Sequence, residues 1–185
     1  MDVFETLAGR LLVAMPDMAD PRFARSVVFL CEHSDEGAMG LIVNKPLEDV
    51  GLVDVAEQME IATDGPRDVP ILYGGPVERQ RGFVLHGPGP ATEAAVALGE
   101  GFALSVTRDI LEALCRGGGP DDCLLTLGYS GWSAGQLEAE LAENAWLVGA
   151  ASPALVFGPA EAMWAGALRA IGVDPQMLSM GGGRA

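Results

Sequence analysis

Short apolar runs with an extended rhythm dominate the first half of the chain, and stripes at helical spacing punctuate the rest. Gly9–Ala14 reads as a strand, and the Met15–Pro21 segment, with prolines at 16 and 21, excludes regular structure. Ser26–Cys31 is rich in β-branched and aromatic residues and predicts a buried strand. After the polar turn Glu32–Gly37, Met39–Asn44 predicts its hairpin partner. Leu52, Val55, Ala56 and Met59 recur at helical spacing, before a break at Thr63–Pro66. Ile71–Tyr73, Gly82–His86 and Phe102–Val106 read as strands, with a Gly74-Gly75-Pro76 turn after the first. Thr107 is placed to cap a helix carrying Ile110, Leu111 and Leu114, which Gly117-Gly118-Gly119-Pro120 stops. Cys123–Leu127 predicts a strand, Ala134 to about Asn144 a helix, Ala145–Ala150 a further strand. The last helix is expected over Pro159–Ile171, with Met163, Trp164, Ala167, Leu168 and Ile171 as its apolar stripe and Gly172 just past its end. Strands and helices mix without a regular βαβ alternation, which points to an α+β fold.

No internal repeat and no dividing linker interrupt these elements. The 185 residues therefore suggest a single domain over 1–179, with the Gly-rich tail 180–185 expected to be disordered because it has nothing to bury. A core of this size buries roughly 70% of the surface that the unfolded chain exposes. No apolar run approaches the roughly 18 residues that a membrane helix needs, so no membrane association is expected. The start, Met1-Asp2-Val3-Phe4-Glu5, lacks a basic region followed by an apolar one and so does not read as a secretory signal. Three cysteines without paired spacing (Cys31, Cys115, Cys123) suit a reduced compartment, and a cytoplasmic location is expected.

Charge narrows the function classes. With 26 acidic against 11 basic residues, the net charge is −15. Nucleic-acid affinity comes largely from Lys and Arg neutralising phosphates, and the basic residues here are scattered. Direct nucleic-acid binding is disfavoured.

The candidate chemistry is thin. Gly131-Trp132-Ser133-Ala134-Gly135 matches G-x-S-x-G, the turn that exposes a nucleophilic serine. No histidine follows Ser133, which excludes the α/β-hydrolase order. Ser133 and Gln136 also have the S-x-x-Q spacing of a capping box, predicting a helix that starts at Ala134. Cys31, His33, Cys115 and Cys123 lack zinc-ligand spacing and read as buried apolar cysteines with a polar neighbour. Asp121-Asp122 reads as an N-cap region and Glu138-Glu140-Glu143 as a solvated helix face. No phosphate loop is present, because Gly74-Gly75-Pro76 has no following Lys-Ser or Lys-Thr. No metal and no cofactor are expected.

Together the segments resemble the YqgE/AlgH family of small bacterial proteins. The resemblance rests on Gly9-Arg10-Leu11-Leu12, Ala14-Met15-Pro16, Asp20, Phe23, Ser26-Val27-Val28, Glu32-His33 and the run Gly37 to Pro46. It continues through Gly74-Gly75-Pro76-Val77, Gly82 to His86, Gly128 to Trp132, Gly135 to Glu138, Asn144 to Leu147 and Trp164. It implies a single α+β domain whose irregular mixed sheet is partly rolled into a barrel and flanked by helices. It implies no reaction. Some members are labelled transcriptional regulators, which the acidity here makes indirect, through an unknown protein partner or a small ligand. The expectation is a non-enzymatic regulatory or adaptor module whose binding surface draws on Pro16, Asp20, Phe23, His33, Asn44, His86, Tyr129 and Trp132, with no catalytic residue. The alternative is an undescribed enzyme with His33 or His86 as general base.

Overall fold

The computed structural model describes residues 5–89 and 95–177. The tail 180–185 lies outside the described residues. The first strands are buried on both faces, with alternate side chains entering opposite clusters. In β1 (Arg10–Ala14), Leu11 and Val13 enter one apolar cluster while Leu12 and Ala14 enter another, so the strand is buried on both faces. β2 (Val27–Ser34) repeats this: Val27, Phe29 and Cys31 face one way, Val28 and Leu30 the other. β3 (Gly37–Ile42) closes the expected hairpin antiparallel to β2, with Ser34 opposite Gly37, and a register shift between Leu30 and Glu32 marks a bulge.

The remaining elements are α1 (Leu52–Gln58), β4 (Ile71–Tyr73), β5 (Val77–His86), β6 (Val96–Ala97), β7 (Ala103–Ser105), α2 (Arg108–Cys115), β8 (Cys123–Ser133), α3 (Gln136–Ala142), β9 (Trp146–Ala150), α4 (Pro153–Val156) and α5 (Ala160–Ile171). One nine-stranded sheet has the order β6-β7-β5-β8-β3-β2-β1-β9, with β4 parallel to β8 and the other pairings antiparallel. The sheet curls into a half-barrel flanked by helices, as the resemblance implies. α4 and α5 cover one face through Val156, Met163, Trp164, Ala167 and Leu168. α1 and α2 cover the β4–β5–β8 end through Leu52, Ala56, Ile110, Leu111 and Leu114. α3 covers the opposite face of β1–β3 through Leu137, beside Trp132 and Trp146.

β8 is the spine, and it corrects the expected strand end at Leu127. The strand continues through Ser133. Gly128, at φ +80°, is the point where the alternation slips: Leu124 and Tyr129 both face the α5-side cluster, whereas Leu125 and Leu127 face the α1–α2 cluster. A parity change of this kind is the mark of an irregularity within a strand. The first part of β8 therefore pairs with β4 and β5, and Ser130 to Ser133 pair with β3. Gly74 and Gly75 pack against this bend so closely that a Cβ on either would meet the Gly128 carbonyl oxygen at 2.2 Å or the Tyr129 carbonyl carbon at 2.1 Å. The Gly74-Gly75 motif is thus a packing requirement.

The helix expected from Ala134 also moves. Its N-cap is Gly135, in the left-handed conformation at φ +77°, and its first residue is Gln136. Only half of a capping box forms: Gln136 Oε1 accepts the Ser133 N–H at 3.0 Å, while the Ser133 hydroxyl turns to the same oxygen at 3.3 Å. Asp121-Asp122 precedes β8 and caps no helix. Thr107 sits at the N-cap of α2, yet its hydroxyl makes no capping bond there.

Candidate functional site

The eight residues singled out in the sequence separate into three groups. Pro16, Asn44 and His86 serve the fold. Pro16 is exposed at the second position of a turn closed by the Met18 N–H to the Met15 carbonyl, 3.0 Å, where its fixed φ is favourable. Asn44 extends the β2–β3 ladder with its side chain: Oδ1 accepts the Val27 N–H at 2.8 Å and Nδ2 donates to the Arg25 carbonyl at 2.9 Å. His86 is fully buried, so its placement on a binding surface is corrected: it is part of the core. Its Nδ1 contacts the Gly87 carbonyl at 3.1 Å, which can only accept, so the proton sits on Nδ1 and Nε2 accepts from the Ser105 hydroxyl at 2.9 Å.

His33 belongs to an interlock. The Leu7 N–H donates to Nδ1 at 3.0 Å, which leaves Nε2 to carry the ring proton and donate to Glu138 Oε1 at 2.7 Å. The imidazole holds the Glu138 carboxyl below its ordinary pKa, chiefly through that hydrogen bond. His33 lies beside a cleft, but both of its ring nitrogens are engaged. A general base needs a nitrogen placed to take a substrate proton. Neither His33 nor His86 presents one, and the Ser133 hydroxyl is turned to Gln136.

The cleft, about 1130 Å³, lies on the part of the α5-side face that neither α4 nor α5 covers. Its floor is apolar: Met39, Phe83, Leu104 and Tyr129, with the Phe83 and Tyr129 rings edge-to-face at 5.8 Å. Val96 and Val106 stand on its rim at 59% and 45% exposure. Polar groups border it: Glu32, His33, Ser34 and Glu36 from β2 and the turn after it, and Arg81 over Phe83 at 5.1 Å.

Asp20, Phe23 and Trp132 meet in a smaller pocket of about 250 Å³ that shares Val77, Gly131 and Trp132 with the cleft. Asp20 clasps Arg22, with Nη2 to Oδ2 at 2.7 Å and Nε to Oδ1 at 3.1 Å, and these hydrogen bonds lower its pKa. The indole N–H groups of Trp132 and Trp146 both donate to Glu140 Oε1, at 3.3 and 3.0 Å. The sequence therefore misplaces Glu138 and Glu140, which are bound to side chains rather than forming a freely solvated face. Their partners His33 and Trp132 come from distant β2 and from β8, so helical spacing carries no signal for them. Met39, Phe83 and Leu104 are likewise missed, because an apolar pattern marks them as core without saying that no described helix lies over them.

The cysteines do not converge. Cys31 lies in the α5-side cluster, and Cys115 and Cys123 lie in the α1–α2 cluster. Burial pushes the Cys31 thiol up to about 12.

A family model described as AlgH-like matches residues 11–176. The chain belongs to the AlgH-like family. Among AlgH-like relatives, a UPF0301 protein from Cereibacter sphaeroides is 52% identical over 183 residues, covering 97% of this chain and 99% of its own length. Another, from Jannaschia sp., is 49% identical over 188 residues, covering 100% of this chain and 98% of its own. The solution structure of the AlgH protein from Pseudomonas aeruginosa matches with a TM-score of 0.79 and 42% identity over the whole of both chains. A crystal structure of a Corynebacterium diphtheriae protein shares the fold at a TM-score of 0.69 and 24% identity, covering 97% of this chain and 93% of that one. No described helix of this AlgH-like chain is long and apolar enough to cross a membrane.

Proposed function

We propose that this AlgH-like chain is a non-enzymatic regulatory or adaptor module that binds another protein through the cleft over Met39, Phe83, Leu104 and Tyr129. The observation that carries this reading is an apolar floor that no described helix covers, with exposed valines at its edge. Of the four large hydrophobic residues most exposed among the described ones, Val96 and Val106 line this one cleft. Contiguous apolar surface rimmed by polar groups marks interaction sites. A half-buried tyrosine with an arginine on the same cleft is the usual material of binding hot spots.

The net charge of −15 sets the kind of action. Any effect on transcription runs through the bound partner and not through contact with DNA, whose phosphates this chain repels. The cytoplasm is the proposed location, supported by three free, buried cysteines.

The test compares the tagged wild-type chain with Val106→Lys, purified from the native cytosol and measured by native mass spectrometry. Val106 is exposed, so the substitution spares the core. The wild-type chain is expected to carry a protein partner at defined stoichiometry, and Val106→Lys to lose at least about tenfold in its recovery, which is the effect of burying a charge against an apolar floor. A small molecule retained without any protein, or equal recovery on both chains, would overturn the reading.

A further inference from the structure

The smaller pocket brings aromatic rings and carboxylates together. Three aromatic rings line it: Phe23, Trp132 and Trp146. Phe23 and Trp132 each stand nearly perpendicular to Trp146, at 77° and 76°, with centroids 5.8 and 6.0 Å away. The rings thus pack edge to face along the pocket, and aromatic side chains gathered at one cavity are what quaternary ammonium groups bind. A carboxylate completes the lining. Glu140 is held by the two indole donors on Oε1, and its Oε2 takes no hydrogen bond and no ion pair from a described residue. A fixed carboxylate beside aromatic walls, without a cation of its own, is complementary to a positive ligand. The chain already supplies a local precedent: Arg22, clasped by Asp20 at the pocket mouth, places its guanidinium carbon 5.7 Å from the Phe23 centroid.

We propose that this pocket binds a compact organic cation, a quaternary ammonium or an alkylguanidinium, between Phe23, Trp132 and Trp146, with Glu140 as counter-charge. The ligand displaces the Arg22 guanidinium from the Phe23 ring. The pocket adjoins the cleft but does not depend on it, so the two proposals fail separately.

Nitrogen-edited NMR of the indole N–H groups tests this directly, because the chain has three tryptophans and the third is a built-in control. Trp164 donates to the Ala14 carbonyl at 2.8 Å and does not line the pocket. The full chain is titrated with choline chloride and, separately, with N-acetyl-arginine amide, against sodium chloride at matched ionic strength. Saturable shifts of the Trp132 and Trp146 resonances, with Trp164 unmoved, are expected at millimolar ligand. Saturation by choline alone assigns a free quaternary ammonium, and saturation by the arginine amide assigns a guanidinium source. Glu140→Gln keeps an oxygen for both indoles while removing the charge, and is expected to weaken binding about tenfold. Phe23→Ala, which removes one wall from a half-buried position, is expected to do the same. Absence of saturable shifts in the wild-type chain, equal shifts with sodium chloride, or binding unchanged in both variants overturns the proposal.

Discussion

At the scale of single residues, the chain uses its polar groups to tie distant segments together. His33 and Glu138 are 105 positions apart, and the ring between them is fixed in one tautomer because the Leu7 N–H occupies Nδ1. This has a consequence for acid stability. The carboxyl of Glu138 is depressed below its ordinary 4.5 by the hydrogen bond from His33. A depressed folded-state pKa contributes stability above the unfolded value and loses it as the pH falls through the folded one. Glu138→Ala is therefore expected to melt below the wild-type temperature near neutral pH, and the gap is expected to close as the pH drops below 4.5. Thermal melts of both chains across that window check it; a gap that stays constant with pH would assign the loss to packing. Because the Glu138 side chain is 42% exposed to solvent, the effect is modest.

At the scale of elements, most of the strands and helices are legible because β1 and β2 are short continuous apolar runs, buried on both faces, and because burial recurs helically in α2 and α5. Reading failed where one residue broke the period. Gly128 shifts the face of every later side chain in β8, so alternation counted from Cys123 ends at Leu127 and the Gly131–Gly135 motif looks like a loop entering a helix. The two-residue β6 and the four-residue α4 are too short to show any period. The parallel pairing of β4 with β8 depends on tertiary contact alone. The site was less legible still. Asp20, Phe23 and Trp132 do meet in one pocket, but Pro16, Asn44 and His86 turn out to serve a turn, a ladder and the core, because nothing in a sequence says which unusual residues the backbone itself consumes. The Gly75 position makes the sharpest test of the element. Its φ of +153° and the 2.1 Å approach of Tyr129 to any Cβ leave no relaxation without moving β8. Gly75→Ala is expected to cost more than about 3 kcal/mol in urea unfolding, or to prevent folding. A loss under about 1 kcal/mol would mean that the bend adapts.

At the scale of the whole molecule, α4 and α5 cover only part of one face of the half-barrel, and Met39, Phe83, Leu104 and Tyr129 lie where no described helix covers it. The proposal that this region binds a protein is what separates an adaptor from an inert domain of the same fold. Methyl NMR of the chain, free and with the partner that copurifies with it, tests this most directly. The methyl resonances of Met39, Val96, Leu104 and Val106 are expected to shift on binding while those of Val53, exposed on α1 at 45%, do not. Shifts at Val53 with the cleft methyls unmoved would contradict the proposal.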